Sequence, residues 1–325
     1  MSSSKTSLSF VAAAAICGLL GATVVAGALV GQRSATSGAT GVPLAATVEY
    51  GRRLLRETPA LMGPDQADPS MRYTGSHLAC ASCHIDSGTK PGTLSLLQTS
   101  GRYPRNSGRD GGMRDLRDRI NGCMQRSMNG RALPRDSVEM IAMAAYINDL
   151  GETYAAMSKS RRAPTEQPAF VEPARAADPE AGQLVYAQRC AVCHGDNGEG
   201  LLATGNPNDG YLFPPLWGPD SFNDGAGMHR VLTAARFVKA RMPFGQADLS
   251  DDDAFDVAAY INSHPRPAMS GLERDYPDLT AKPVDSPYGP YADPFPQAQH
   301  QYGPFEEIRA WYAARKAEKT DTRSR

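Results

Sequence analysis

The sequence predicts a mainly α-helical protein: two tandem copies of one small helical domain, between an N-terminal apolar segment and an irregular, Pro/Tyr-rich C-terminal tail. Three observations predict this. CASCH at Cys80–His84 returns as CAVCH at Cys190–His194. A stretch with helical spacing of apolar residues precedes each, EYGRRLLRE in the first copy and DPEAGQLVYAQR in the second. Each is followed, at a similar distance, by a closing stretch of nearly the same sequence, MAAYIND and VAAYINS. Self-similarity of this kind is the mark of a repeated unit.

The chain has 325 residues, enough for two ordinary domains. Its formal net charge is -1, so neither nucleic acid nor a polybasic membrane surface is indicated. Gly (31) and Pro (25) are abundant and aromatics few, which fits small helical domains joined by much irregular chain. The even balance hides one local excess: nine arginines against three aspartates from Arg102 to Arg135.

Taken in order, the chain begins with a targeting segment, residues 1–32. Lys5 precedes an uncharged, mostly apolar run from Leu8 to Val30. The run reaches membrane-spanning length, and Ala26-Gly27-Ala28 offers a cleavage site, so signal peptide and membrane anchor both stand. Ile16 is too large to precede a lipidated Cys17. Residues 33–48 read as a Ser/Thr/Ala/Gly tether. The first domain, 49–150, ends in a helix over Ser137–Leu150 with Val138, Ile141, Ala145 and Ile147 as its buried face. Residues 151–178 read as a Pro/Arg/Glu linker. The second domain, 179–265, opens with Asp178 as N-cap and Pro179 at the first helical position. A helix is expected over Gly225–Arg241. The tail, 266–325, is too aromatic for a simple linker. It is expected to lie over the domains as ordered coil, ending in a short helix near Glu306–Lys316.

The repeated motif carries the chemistry. C-x-x-C-H is the pattern of covalent c-type haem attachment: two thioether bonds and one axial histidine. Zinc is disfavoured because neither cysteine pair has a second ligand pair at zinc spacing. A thioredoxin-like dithiol leaves the histidine unexplained. The chain is therefore read as two tandem cytochrome c-like domains carrying two covalently bound haem c, with Cys80, Cys83, Cys190 and Cys193 as attachment points and His84 and His194 as axial ligands. Covalent haem attachment requires export, so the protein is expected to be periplasmic, with tethering to the inner membrane by the N-terminal segment as one of the two options.

The sixth ligands differ between copies. Met242-Pro243 suits the distal methionine of a small cytochrome c; Met228 competes, as core. No Met-Pro occurs in the first domain. There Met113, Leu116, Ile120, Met124 and Met128 fall on one helical stripe read as core, while Arg119, Cys123 and Ser127 fall on the next at i, i+4 and i+8. Cys123 is the cysteine that neither motif nor leader uses. A lone thiol in an oxidising compartment tends to oxidise or cross-link, and it is either a small buried hydrophobe or a haem ligand. As a thiolate ligand it would lower that haem's potential. Arginine makes forked hydrogen bonds to oxyanions, so sulfur ringed by arginines suits a sulfur oxyanion. Most of the arginines are expected on a solvated face, paired with Asp110, Asp115 and Asp118.

GRRLLRETP, MRYTGSHLACASCHIDSGTKP, DRINGCMQRSMNGR and EMIAMAAYI, with HPRP and PYGPYADPF in the tail, resemble the dihaem thiosulfate dehydrogenase family from Glu49 to about Trp311. The resemblance implies an active-site haem ligated by His84 and Cys123. It implies oxidation of thiosulfate to tetrathionate, with electrons leaving through the second haem to a soluble or membrane-bound acceptor such as a cytochrome c. By position, Arg109, Arg119 and Ser127 look like substrate contacts beside Cys123. In some relatives a lysine next to the second haem's methionine exchanges with it. Here that residue is Arg241, which stays protonated and cannot ligate iron; Lys239 lies two residues away. The same residues would serve a tetrathionate reductase running the reverse reaction. They are also compatible with a non-catalytic dihaem electron-transfer cytochrome in which Cys123 is structural, and with a thiosulfate-binding subunit of a larger sulfur-oxidising complex.

Overall fold

Two helix crossings of the same kind organise the molecule. A computed structural model describes residues 44–159 and 169–324. The leader and most of the tether lie outside these residues. In the first crossing α1 (Leu44–Arg56) packs on α4 (Val138–Ala156); in the second α5 (Pro179–Arg189) packs on α8 (Asp251–Ser263). Each crossing depends on one glycine. A Cβ on Gly51 would sit 2.1 Å from the Ala142 carbonyl oxygen, and one on Gly182 would sit 2.0 Å from that of Asp256. The next-nearest neighbours are Tyr146 and Tyr260, the tyrosines of MAAYIND and VAAYINS. The sequence repeat is thus a repeat of one close backbone contact.

Several helix ends follow from capping chemistry. Asp178 accepts from the Glu180 and Ala181 amides at the start of α5, with Pro179 inside the first turn. Ser137 accepts from Met140 N at the start of α4. Asp115 and Asp118 form a capping box that opens α3 (Leu116–Arg126), which runs unbroken through Gly122. The remaining helices are the short α2 (Thr58–Met62) and α6 (Ala191–His194), then α7 (Val231–Arg241), α9 (Gln297–Tyr302) and α10 (Glu306–Ser324). Two small antiparallel pairs complete the regular structure: β1 (Arg105–Ser107) with β2 (Gly112–Arg114), and β3 (Leu201–Leu202) with β4 (Tyr211–Phe213). Among the described residues no helix is long and apolar enough to cross a membrane.

Some boundaries differ from those expected. Helix α1 begins at Leu44, inside the stretch read as tether. Residues 225–230 hold only a single 3-10 turn at Gly227–His229, and α7 starts at Val231. Of the expected face Ile147 is buried, Ile141 and Ala145 are half-buried and Val138 is exposed, whereas Met140, Ala142, Met143, Ala144 and Tyr146 are also buried, because α4 is covered by α1 on one side and forms a cavity wall on the other. Met113 lies in β2, 61 % exposed, and leaves the core stripe that Leu116, Ile120, Met124 and Met128 do form. The tail is ordered and packed: Phe305 and Ile308 are buried in the core of the second unit beside Phe255. It also contains α9, which no sequence pattern marks, and α10 runs beyond Lys316.

Candidate active site

A cavity of about 770 Å³ opens in the first unit. That is within the usual range for a small-molecule or cofactor site. Cys80, Cys83 and His84 form part of its wall, and Arg119, Cys123 and Ser127 of α3 form another. The expected i, i+4, i+8 stripe is therefore real, and it faces the C-x-x-C-H turn across one space. Apolar walls come from Leu55, Leu96, Met143, Ile147 and Phe222.

The C-x-x-C-H turn is built the same way twice. His84 N donates to Cys80 O (2.9 Å), and His194 N donates to Cys190 O (2.9 Å), a single tight turn that gathers two thiols and one imidazole. The buried Thr58 hydroxyl accepts from Cys80 N (3.2 Å) and fixes the start of the first turn. Each imidazole donates Nδ1–H to a carbonyl, His84 to Leu94 (2.7 Å) and His194 to Pro214 (2.8 Å). The Nε2 lone pair of each is thereby left free to ligate iron. Burial pushes both imidazoles below their usual pKa, which favours this neutral form. Burial also pushes the Cys80 thiol up to about 11 and the Cys83 thiol up to about 12. All five described cysteines are free of disulfides. Two unbridged thiols, one oriented imidazole and an apolar cavity fit haem c in the first unit. The same donor set, with Met242 half-buried against the core cluster that includes Cys190 and Trp217, fits it in the second.

Five of the nine arginines sort into three groups. Arg114 pairs with Asp110 (3.1 Å), and Arg135 with Asp118 (2.6 Å) and Asp115, on the solvated face expected of them. Arg109 sits in the turn between β1 and β2 and is tied to the tail. Its Nη1 donates to Asp275 (2.6 Å) and Tyr288 (2.9 Å), its guanidinium lies 5.2 Å from the Tyr276 ring, and its carbonyl accepts from Tyr276 N (2.7 Å). Asp275, a buried carboxylate, accepts from Arg126 as well (2.7 Å). Arg119 differs. It lines the cavity, and among the described residues no carboxylate lies within ion-pair distance of it. The sulfur of Cys123 holds its guanidinium still further into the charged range.

Sequence reasoning missed what the second unit and the tail contribute. Phe222, Met228, Tyr276 and Ala281 all line this first cavity. Met228 thus belongs to the first site's wall. Asp275 and Tyr288 escape because long-range partners leave no local periodicity; the Tyr/Pro-rich tail is the available signal. Arg126 is one of a basic run and carries no local mark of its own. Lys239 donates to Leu249 O (2.7 Å) and lies 3.7 Å from Asp251, so it is engaged away from Met242.

Residues 72–154 match the model of the SoxA/TsdA cytochrome c domain, and residues 177–261 that of cytochrome c oxidase cbb3-type subunit III. Over 231 residues the chain is 41 % identical to the thiosulfate dehydrogenase of Allochromatium vinosum, covering 69 % of this chain and 80 % of that protein. It is 42 % identical over 203 residues to that of Stutzerimonas stutzeri, covering 60 % of this chain and 62 % of the relative. The solved structure of thiosulfate dehydrogenase (TsdBA) from Marichromatium purpuratum, in its as-isolated form, superposes with a TM-score of 0.61 at 35 % identity. That match covers 74 % of this chain and half of the other. Two cytochrome c domains, and with them two haem c groups, follow from these matches.

Proposed function

The chain belongs to the dihaem thiosulfate dehydrogenase family, and we propose that it oxidises two thiosulfate ions to tetrathionate at a first haem c held by His84 and Cys123. Electrons then leave through a second haem c held by His194 and Met242. Residues 49–150 house the first site and 179–265 the second, and the tail, 266–325, completes the substrate cavity. One observation carries the reading: Cys123 and Arg119, which has no carboxylate partner among the described residues, line the same cavity as Cys80, Cys83 and His84.

When bound, each haem c takes and releases one electron at a time, and a thiolate ligand sets a lower potential than a thioether, which gives the pair a direction. The protein's own groups do the rest. Arg119, with no carboxylate partner among the described residues, supplies a positive charge for a dianion beside the Cys123 sulfur. Arg109, held by Asp275 and Tyr288, presents a pre-ordered guanidinium beside it. Ser127, at the C-terminal cap of α3, brings a hydroxyl to the same wall. The apolar wall of Met143, Ile147 and Phe222 limits water, so the charge interactions are less screened.

The Cys123 thiolate and the outer sulfur of one thiosulfate join in a sulfur–sulfur bond with release of two electrons. A second thiosulfate attacks that outer sulfur, tetrathionate leaves, and the thiolate is restored. Two dianions enter; one dianion and two electrons leave.

Val192, between the two cysteines of the second motif, is 86 % exposed, and Phe244, two residues after Met242, is 68 % exposed. Apolar residues this bare beside both anchors of the second haem suit a transient, apolar docking contact with a one-electron acceptor such as a cytochrome c. The haem-bearing part works in the periplasm, where haem is attached covalently.

The test is steady-state turnover of the purified dihaem protein with thiosulfate and an artificial one-electron acceptor. One tetrathionate should form per two thiosulfates. Failure to reduce the acceptor, with tetrathionate instead consumed in the presence of a reduced donor, would reverse the assignment.

A further inference from the structure

We infer that Arg241, carried on the second domain, is the positioning residue that fixes the proximal imidazole of the first. Arg241 is the last residue of α7 and directly precedes Met242, yet its side chain leaves its own domain. Its Nη2 donates to the carbonyls of Pro91 and Thr93 (3.2 Å to the latter). The next residue in that loop is Leu94, whose carbonyl accepts the His84 Nδ1–H at 2.7 Å.

The loop needs such a clamp. Leu94 has φ of +59°, a left-handed conformation that a branched side chain adopts only when its surroundings impose it. That conformation aims the carbonyl at His84. The clamp itself is buried: Arg241 is 8 % exposed, and its Nε–H has no protein partner. A desolvated guanidinium hydrogen-bonded to carbonyls, with the Asp86 carboxylate as its electrostatic partner, is costly to keep in place. The chain therefore runs from Met242 through Arg241 to the Thr93–Leu94 backbone and on to His84, and it joins the distal ligand of one site to the proximal ligand of the other.

The hydrogen bond on Nδ1 controls how much charge the imidazole gives its metal. Releasing the loop weakens that bond, so the ferric state of the first haem is less favoured and its potential rises. The inference rests on the assignment of His84 as axial ligand.

The experiment uses the full-length dihaem protein with Arg241→Gln, which loses the two-carbonyl clamp without placing a new iron ligand beside Met242. Redox titration should show the first haem's oxidised-to-reduced ratio displaced about tenfold at fixed ambient potential, or ~59 mV upward for a one-electron couple. The second haem should stay in place, and the first haem's ferric paramagnetic resonance should shift. Arg241→Ala is the second variant, should the glutamine form load haem poorly, and should give the same resonance shift. A first haem unchanged in potential and resonance in both variants would overturn the inference. His84→Met separates the two claims. If it alters the first haem while both Arg241 variants are silent, only the clamp fails. If it does not, the ligand assignment fails and the clamp with it.

Discussion

Arg119→Gln separates substrate binding from stability, because among the described residues Arg119 has no carboxylate to leave behind. Charged residues that hold folds together do so in pairs, and breaking a buried pair costs ~3–5 kcal/mol. Among the described residues Arg119 has no such pair, and its guanidinium faces the cavity and the Cys123 sulfur. Folding stability should therefore change by no more than ~0.5 kcal/mol, the range for a residue outside any buried network. Binding should change much more. A hydrogen bond to a charged partner contributes ~1.5–3 kcal/mol, and at about 1.4 kcal/mol per tenfold this is roughly a 10–150-fold rise in the thiosulfate concentration needed for half-maximal rate. The assay pairs a thermal melt of the dihaem protein with steady-state kinetics across thiosulfate concentration. A KM within twofold of wild type, or a melt that collapses, would refute the reasoning: the first would return Arg119 to the solvated face, the second would reveal a structural partner.

Arg109 should behave differently. Arg109→Gln raises KM as well but also lowers the melting temperature, because Asp275 loses one of its two guanidinium partners. Asp275→Ala strands both Arg109 and Arg126 and should cost ~3–5 kcal/mol, read in denaturant or thermal unfolding; an unchanged midpoint would remove the tail from the site. Met242→Ala should lower the second haem's potential and slow electron exit while sparing the first haem's spectrum, since a thioether ligand is what raises the potential; an unmoved potential would assign the ligand elsewhere. Gly51→Ala should destabilise by at least ~1–3 kcal/mol, because its Cβ would meet the Ala142 carbonyl at 2.1 Å; a wild-type unfolding curve would mean the α1–α4 crossing opens without penalty.

Much of this is legible in the sequence because it is local. The C-x-x-C-H turns, the Asp178-Pro179 helix start and the Arg119–Cys123–Ser127 stripe each depend on residues within a few positions of one another, and the structure has all three. Repetition reveals the two closing helices, but periodicity misplaces the buried side of the first. It assumes one buried face, and α4 has two. The cavity's completion is beyond such reading. Arg109 reaches its partner Asp275 across 166 positions, and Arg241 reaches Thr93 across 148. Nothing in the immediate neighbourhood of any of these residues marks the pairing. The β1–β2 hairpin that carries Arg109 is likewise held by the tail, through Tyr276 N to the Arg109 carbonyl, and is too short to announce itself by alternation.

The central claim is that Cys123 serves both as ligand and as nucleophile at the first haem, and Cys123→Ala tests it most directly. Haem attachment uses Cys80 and Cys83, so the variant should still carry two haem c groups. Paramagnetic resonance of the oxidised protein should then lose its thiolate-ligated ferric signal and keep the second haem's signal unchanged. The same sample should lose nearly all thiosulfate oxidation. A Cys123→Ala protein that retains wild-type turnover and an unaltered first-haem signal would make this cysteine structural and contradict the claim.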